Sequence, residues 1–179
     1  MAYYPEQARF ASPQESFLTD APPQARPSFT LEDLAAALPR QGAIFGLDVG
    51  TKTIGVAISD VNRTIATAVG TIRRKKFTAD IAELFALAKE RGAMGYVVGL
   101  PVNFNGTEGP RAQACRAFAR NLSRLTDAPI AMWDERLSTA AAERALLEAD
   151  ASRKRRAEVI DAVAAAYILQ GALDRMKRL

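Results

Sequence analysis

Residues 44–60 read I-F-G-L-D-V-G-T-K-T-I-G-V-A-I-S-D, and this stretch decides the fold. Two apolar runs separated by a short connection of Gly, Thr and Lys are typical of a β-hairpin. Asp48 ends the first run, where a carboxylate is costly unless it is paired or binds a cation. Gly46 and Gly50 flank it and allow a second backbone or a phosphate to approach closely. A turn-capping role for Asp48 is the alternative.

The composition is that of a globular protein. The chain has 179 residues, enough for one domain with a substantial core, and 49% of them are apolar. It contains no basic-then-apolar signal segment and no apolar run of the ~20 residues that a membrane-spanning helix needs. The one cysteine, Cys115, excludes an internal disulfide and suits a reducing compartment. We therefore expect a cytoplasmic protein that does not interact with membranes.

The absence of histidine restricts the chemistry that the chain can perform. It excludes a Ser-His-Asp or Cys-His catalytic set, and with a single cysteine it also excludes a zinc site of ordinary composition. Catalysis would depend on Asp, Glu, Lys, Arg, hydroxyl groups or a metal held by oxygen, which suits magnesium or manganese. The net charge of +4 permits binding to nucleic acid without requiring it.

The rest of the chain predicts alternating strands and helices after a separate leader. Residues 1–40 contain several prolines and predict a flexible leader with little contribution to the core, apart from a short helix capped by Thr30. Residues 41–179 predict one α/β domain with a mixed five-stranded sheet and helices on both faces. Its first three strands form an antiparallel meander, and the later strands join through parallel crossovers.

Turn and capping signals predict the boundaries of these elements. Beyond the hairpin we expect strands at residues 65–72, 96–100 and 129–133, and helices at residues 78–91, 110–125, 138–150 and 156–176. Thr78 is expected to cap the first of these helices and Gly92 to end it. The residues expected to face inward on the second are Ala114, Phe118, Leu122 and Leu125. Basic runs at residues 73–76 and 153–156 suit phosphate contacts or a solvated surface.

Carboxylates recur at positions that can meet Asp48. Asp134 and Glu135 follow a predicted interior strand at its carboxyl end, the edge where sites form in α/β sheets. Side chains alternate along a strand, so only one of the two can point toward Asp48. Asp161 lies beside the apolar stripe of the last helix and is expected to face the sheet or its margin. Each acid alone is explained by a cap or an ion pair, but clustered carboxylates persist mainly where a cation neutralises them. Their combination favours metal-assisted phosphoryl transfer.

Four motifs occur in order along the chain. They are G-L-D-V-G-T-K-T-I-G-V-A-I-S-D at residues 46–60, V-V-G-L-P-V-N-F-N-G-T-E-G-P at 97–110, D-E-R-L-S-T at 134–139 and I-D-A-V-A-A-A-Y-I-L-Q at 160–170. Together they resemble the YqgF family of bacterial RuvC-like proteins with an RNase H fold. These proteins are described as Holliday junction resolvases and as nucleases that act on the precursor of 16S ribosomal RNA. The resemblance covers about residues 43–174 and leaves the leader outside it.

The resemblance implies an RNase H-like nuclease domain with an acidic triad. The matching residues are Asp48, Glu135 and Asp161, which would be catalytic and would hold Mg²⁺ or Mn²⁺. Glu135 matches the usual site position, although the resemblance leaves the choice between Asp134 and Glu135 open. Thr53 stands where the family commonly has a basic residue.

Substrate contacts are expected around this triad. The loop at residues 101–110 offers polar side chains and backbone donors near a helix N-terminus, which favours phosphate, and a turn with a helix cap is the alternative. The expected substrate-binding residues are Lys52, Asn103, Asn105, Thr107 and Arg136. Thr53 argues against a second cation beside Lys52.

Several functions remain open at this point. The resemblance implies a metal-dependent endonuclease that processes the 5′ end of the 16S ribosomal RNA precursor, with the small-subunit precursor as its partner. The alternatives are resolution of Holliday junctions in DNA and a non-catalytic RNA-binding module in ribosome assembly. The hairpin also resembles the phosphate-binding hairpin of actin-like and sugar-kinase ATPases, but that fold needs two related domains with one hairpin each. We expect a monomer or a homodimer, of which junction resolution requires the dimer.

Overall fold

The structure, a computed structural model, describes residues 29–137 and 155–179. Side chains are described for residues 29–137 and 160–179. The helix predicted at residues 138–150 and the side chains of the basic run at 153–156 lie outside the described residues, as does the leader before Phe29.

Within the described residues the chain forms five strands and four helices. In chain order they are α1 (Leu31–Ala37), β1 (Ala43–Val49), β2 (Thr53–Ser59), β3 (Ala66–Arg73), α2 (Phe77–Arg91), β4 (Ala93–Leu100), α3 (Pro110–Leu122), β5 (Ile130–Asp134) and α4 (Arg155–Met176). A single 3-10 turn, Glu135–Leu137, follows β5 directly. No helix in this part of the chain is both long and apolar enough to cross a bilayer.

The strands form one sheet in the order β3-β2-β1-β4-β5. The β1–β2 and β2–β3 pairs are antiparallel, whereas β1–β4 and β4–β5 are parallel. Helices α2 and α3 cover one face, and α4 with α1 covers the other. This is the mixed five-stranded sheet with helices on both faces that the sequence predicts, so the predicted architecture is confirmed.

Strand β1 lies at the centre of the sheet and is buried along its whole length. Its side chains alternate between the two cores, as the pleat of a strand requires. Phe45 and Leu47 join the core under α2 and α3, and Ile44 joins the core under α4. Gly46 also faces α4, because a Cβ atom there would meet Leu169. Asp48 is two residues after Gly46 and therefore lies on the same face of the sheet, toward α4.

Helix α2 differs from the sequence prediction at its beginning. It starts at Phe77 with Lys76 as the N-cap, and no side chain caps it, so Thr78 is not the cap. The carboxylate of Asp80 instead accepts a hydrogen bond from the backbone N–H of Lys75, at 2.9 Å. The predicted end is confirmed, since Gly92 adopts the left-handed conformation with φ +67°.

Helix α3 is shorter than its sequence pattern predicts. It ends at Leu122, and Leu125 lies beyond it with 52% of its surface exposed. Ala114 is also exposed, whereas Phe118 and Leu122 are buried as predicted. Its buried face is completed by Ala112, Cys115 and Ala119, and this stripe has the expected i, i+3 and i+4 spacing. The predictions for Ala114 and Leu125 were therefore wrong, because the helix is rotated toward Cys115.

The short helix at the end of the predicted leader packs against the domain through two buried leucines. Leu31 and Leu34 of α1 are buried against β5 and α4. The backbone N–H of Met132 in β5 donates to the carbonyl of Phe29 at 2.8 Å. Thr30 caps the helix by accepting a hydrogen bond from the N–H of Asp33, as predicted. The α1 segment therefore closes one side of the α4 core.

The burial of α1 predicts a measurable loss when its contact is removed. Leu34 is 1% exposed, so Leu34→Ala should lower the free energy of unfolding by ~2–4 kcal/mol through lost burial and a residual cavity. Urea denaturation measures this loss. The control is Glu32→Ala on the exposed side of the same helix, which should change stability by less than ~0.5 kcal/mol. Equal effects of the two substitutions would contradict a structural role for α1.

Candidate active site

Asp48 lies in the middle of a row of residues that crosses the sheet. It pairs with Gly55 in β2. On its other side Leu47 pairs with Val98, which places Gly99 of β4 beside Asp48 at the next step of the parallel register. A glycine on each neighbouring strand therefore leaves the space on either side of the Asp48 carboxylate free of side chains from the sheet. Asp48 itself is only 6% exposed.

The space above Gly55 is filled by the backbone of α4 at Asp161. A Cβ atom on Gly55 would lie 2.0 Å from the Asp161 carbonyl oxygen, so only glycine permits this approach. The hydroxyl of Thr53, two residues earlier in β2, donates to Asp161 Oδ2 at 2.5 Å. Asp161 therefore faces the sheet, as predicted, and lies over the strand next to Asp48. Thr53 is a site residue that the sequence reasoning did not identify.

The space above Gly99, on the β4 side of Asp48, is filled by the side chain of Glu135. Glu135 begins the 3-10 turn after β5 and is 9% exposed. Its Oε1 atom would lie 2.8 Å from a Cβ atom on Gly99, and the Ile168 side chain would lie 2.6 Å from that atom. Glu135 and Asp48 thus come from adjoining positions of the same face, at the carboxyl edge of the parallel strands.

Asp134 is held by a different partner. Arg136 donates from Nε and Nη2 to its carboxylate, at 3.0–3.1 Å and 2.6 Å, and the backbone N–H of Arg136 donates to Oδ1. The Arg136 hydrogen bonds hold the pKa of the Asp134 carboxyl below its usual value. Of the two adjacent acids, Glu135 is therefore the one that reaches the α4 face beside Asp48. A phosphate contact by Arg136 stays a prediction.

The negative charge at this edge of the sheet affects the pKa of the buried Cys115 thiol. Its Sγ atom lies 3.8 Å from the carbonyl oxygen of Val49, the residue after Asp48. Burial, and after it the negative charges of Glu135 and Asp48, raise the pKa of the thiol to about 11. Because one group feels both carboxylates, the two charges are concentrated at one place in the fold.

The residues present fit a hard divalent cation in their chemistry. Asp48 and Glu135 offer only oxygen donors, and their like charges in a buried setting favour neutralisation by a cation. The carboxylate of Asp161 is bound to the Thr53 hydroxyl instead. Among the side chains that the structure describes, at residues 29–137 and 160–179, no group of three or more acidic or cysteine residues is close enough together to hold a metal. The structure thus brings two of the predicted ligands to one edge and holds the third on α4, above the adjoining strand β2.

The turn after Asp48 is held by Arg74, a contact that the sequence reasoning missed. The Arg74 guanidinium donates from Nη1 to the carbonyl of Gly50 at 2.7 Å, and its Nε lies 3.9 Å from buried Asp80. The backbone N–H of Arg74 donates to the carbonyl of Lys52 at 2.9 Å. Arg74 was predicted only as part of a basic run that suits phosphate contacts or a solvated surface. Its contacts instead fix the turn that carries exposed Lys52.

The loop at residues 101–109 has an internal hydrogen-bond network. Asn105 Oδ1 accepts hydrogen bonds from the backbone N–H and the hydroxyl of Thr107. Asn103 Nδ2 donates to the same hydroxyl at 3.0 Å, and the Asn103 N–H donates to the Thr107 carbonyl. In this structure all three predicted substrate-binding side chains shape the loop. Phosphate binding by them stays a prediction.

Comparisons with known proteins find relatives of this chain. A family model described as RuvX, Holliday junction resolvase, matches residues 42–175. A protein of Rhodobacter capsulatus named "Putative pre-16S rRNA nuclease" is 66% identical over 83% of this chain and 94% of its own length. One of Paracoccus denitrificans with the same name is 65% identical over 83% and 94%. RuvC of T. thermophilus in complex with a Holliday junction substrate is 12% identical, with a TM-score of 0.45, over 75% of this chain and 96% of that one.

The close packing of α4 against Gly55 of β2 predicts that one added methyl group there lowers stability. Gly55→Ala should lower the free energy of unfolding by ~1–3 kcal/mol, because the new Cβ atom would displace the Asp161 backbone. The matched control is Gly70→Ala in the neighbouring strand β3, where a Cβ atom meets nothing within 4 Å. This control should be neutral or stabilising by up to ~1 kcal/mol. Chemical denaturation measures the free energy of unfolding of both variants. An unchanged value for Gly55→Ala would contradict the close approach of the Asp161 backbone to Gly55.

The charge at the site predicts the reactivity of Cys115. With its pKa raised to about 11, the thiol stays protonated at pH 8, so alkylation of the folded protein should be at least ~100-fold slower than in urea. Asp48→Asn removes one negative charge, which lowers the thiol pKa and should speed alkylation of the folded protein. Asp127→Asn, at an exposed acid between α3 and β5, serves as the control and should leave the rate unchanged. Equal rates in all three proteins would show that Asp48 exerts no field at Cys115.

Proposed function

The chain belongs to the RuvX family, and from this premise we propose that it is a metal-dependent endonuclease that processes the 5′ end of the 16S ribosomal RNA precursor. The observation that supports this most directly is the placement of buried Asp48 and Glu135 at one sheet edge, with Asp161 of α4 above the adjoining strand β2. Two relatives above 60% identity are named "Putative pre-16S rRNA nuclease". The proposal places the protein in the cytoplasm, acting on the small-subunit precursor.

Three carboxylates would perform the binding step of this reaction. Asp48, Glu135 and Asp161 would hold Mg²⁺ or Mn²⁺, since their oxygen donors are those that these ions prefer. When bound, the cation supplies Lewis-acid stabilisation of the charge that develops on the cleaved phosphodiester. Thr53 keeps Asp161 oriented toward the sheet through its hydroxyl. Arg74 keeps the turn at Gly50 in place and so supports the strand end that carries Asp48.

The remaining groups at this edge favour hydrolysis assisted by carboxylates over covalent catalysis. The chain has no histidine to activate a nucleophile. The Cys115 thiol is protonated at neutral pH because its pKa is raised to about 11, and it is buried. Lys52 is exposed on the turn after Asp48, where it would attract the phosphates of a nucleic acid. Arg136 would add a second phosphate contact from the other side of Glu135.

Resolution of Holliday junctions is the second candidate, because the matching family model carries that description. Two symmetric cuts in a junction need two active sites, and therefore a homodimer. Processing of a single RNA strand needs one site and is compatible with a monomer. A non-catalytic RNA-binding module would have no use for two buried carboxylates that repel each other.

A cleavage assay on both substrates tests the proposal. The unaltered protein is incubated with a 16S ribosomal RNA precursor fragment and with a four-way DNA junction, with Mg²⁺, with Mn²⁺ and with a chelator. We expect metal-dependent cleavage of the RNA at a defined position. Asp48→Asn should reduce the rate by more than ~100-fold, since removing a ligand costs more than removing a group that only orients one. Asp127→Asn, at an exposed acid, should cleave normally.

Each outcome of this assay has a distinct meaning. Paired cuts in the junction without RNA cleavage would favour the second candidate. Cleavage that survives the chelator or Asp48→Asn would contradict a metal-dependent mechanism at this edge. Binding of RNA by the unaltered protein without cleavage under any condition would favour the non-catalytic module.

A further inference from the structure

Phe104 is the most exposed large apolar side chain in the described residues, with 97% of its surface accessible. It lies in the loop between β4 and α3, five residues after Gly99, which lies under Glu135. Five residues span at most ~18 Å. That is about five nucleotides at the ~3.4 Å rise per nucleotide of a duplex strand. Phe104 therefore lies within reach of a nucleic acid whose phosphodiester is at the candidate site.

The loop holds Phe104 in a defined turn. The N–H of Gly106 donates to the Asn103 carbonyl at 2.8 Å, which places Phe104 at the second position of a four-residue β-turn. Gly106 has φ +82°, a conformation that favours glycine. Hydrogen bonds join the side chains of Asn103, Asn105 and Thr107 within the same loop. The polar groups of the turn thus stabilise the loop, and the group it presents outward is an aromatic ring.

A cation lies beside this turn. The Arg136 guanidinium is 3.9 Å from the position of a Cβ atom on Gly106, and Arg136 follows Glu135 directly in the chain. An exposed ring close to a guanidinium is the combination by which proteins bind unpaired nucleotides, with stacking on the base and charge on the backbone. The turn holds the backbone at Phe104, and an aromatic side chain has only two rotatable bonds, so ordering it on binding costs little conformational entropy.

We infer that Phe104 stacks on an unpaired base of the substrate close to the cleaved phosphodiester. The inference rests on the proposed function and adds to it a substrate class, a strand that is single-stranded at the cut. Base stacking on an aromatic side chain changes affinity by about 5- to 150-fold for each base. It tolerates any base, because every base has a π-face.

Binding measurements on a single-stranded RNA and on its duplex test this inference. Fluorescence anisotropy is measured without metal, so that binding is separated from cleavage. Phe104→Ala should weaken binding of the single strand by about 5- to 150-fold and change duplex binding by less than twofold. Phe104→Trp should keep the affinity, and Phe104→Leu should lose most of it because it keeps apolar surface but no ring. A 2-aminopurine base placed in turn at each position next to the cut should be quenched by the unaltered protein at one position only.

Leu125→Ala is the matched control, because Leu125 is also an exposed apolar residue but lies after the far end of α3. It should leave both affinities unchanged, and thermal melts of the Phe104 variants should match those of the unaltered protein. Equal single-strand affinity in Phe104→Ala and Leu125→Ala would overturn the inference even if the unaltered protein cleaves RNA. Loss of cleavage in Asp48→Asn with normal Phe104-dependent binding would leave both proposals standing. Absence of cleavage by the unaltered protein would reject the proposed function separately.

Discussion

The close contact between α4 and a glycine-lined face of the sheet is the constraint on which the candidate site depends. Gly46, Gly55 and Gly99 lie on three neighbouring strands, and a Cβ atom on any of them would come within 2.6 Å of an α4 atom. Alanines on the helix side make the fit possible, including buried Ala162 and Ala165. Larger side chains on either surface would move the helix outward and take Asp161 away from the sheet. The acid on the helix and the acid on β1 therefore share an edge because both surfaces are small.

This packing carries an electrostatic cost. Asp48 and Glu135 are both buried at the carboxyl edge of the parallel strands, and their combined field adds to the effect of burial on the Cys115 pKa. A fold selected only for stability would fill such positions with apolar residues. Charged side chains are rarely buried, and the exceptions concentrate at functional sites. Here the exception is two buried carboxylates, Asp48 and Glu135, at one edge of the sheet.

Much of this arrangement could be predicted from the sequence, because it depends on local patterns. The hairpin, the order of strands and helices and the placement of Asp161 toward the sheet follow from hydrophobic periodicity and turn residues. The roles of Gly55 and Gly99 could not be predicted, since they depend on which residue of a neighbouring strand or helix lies opposite. An isolated glycine inside an apolar strand was the available signal. The hydrogen bonds of Thr53 and Arg74 join residues 108 and 24 positions apart, and no local pattern specifies such pairs.

The central claim is that the acids at this edge are present to bind a cation, and thermal unfolding with and without Mn²⁺ tests it most directly. Mn²⁺ should raise the melting temperature of the unaltered protein by mass action. Asp48→Asn should melt at the same temperature or higher without metal, because one repelling charge is gone, and should respond to Mn²⁺ much less. A metal-free Asp48→Asn protein that is clearly destabilised, with neither protein responding to Mn²⁺, would instead make Asp48 a structural residue of the hairpin and contradict the account.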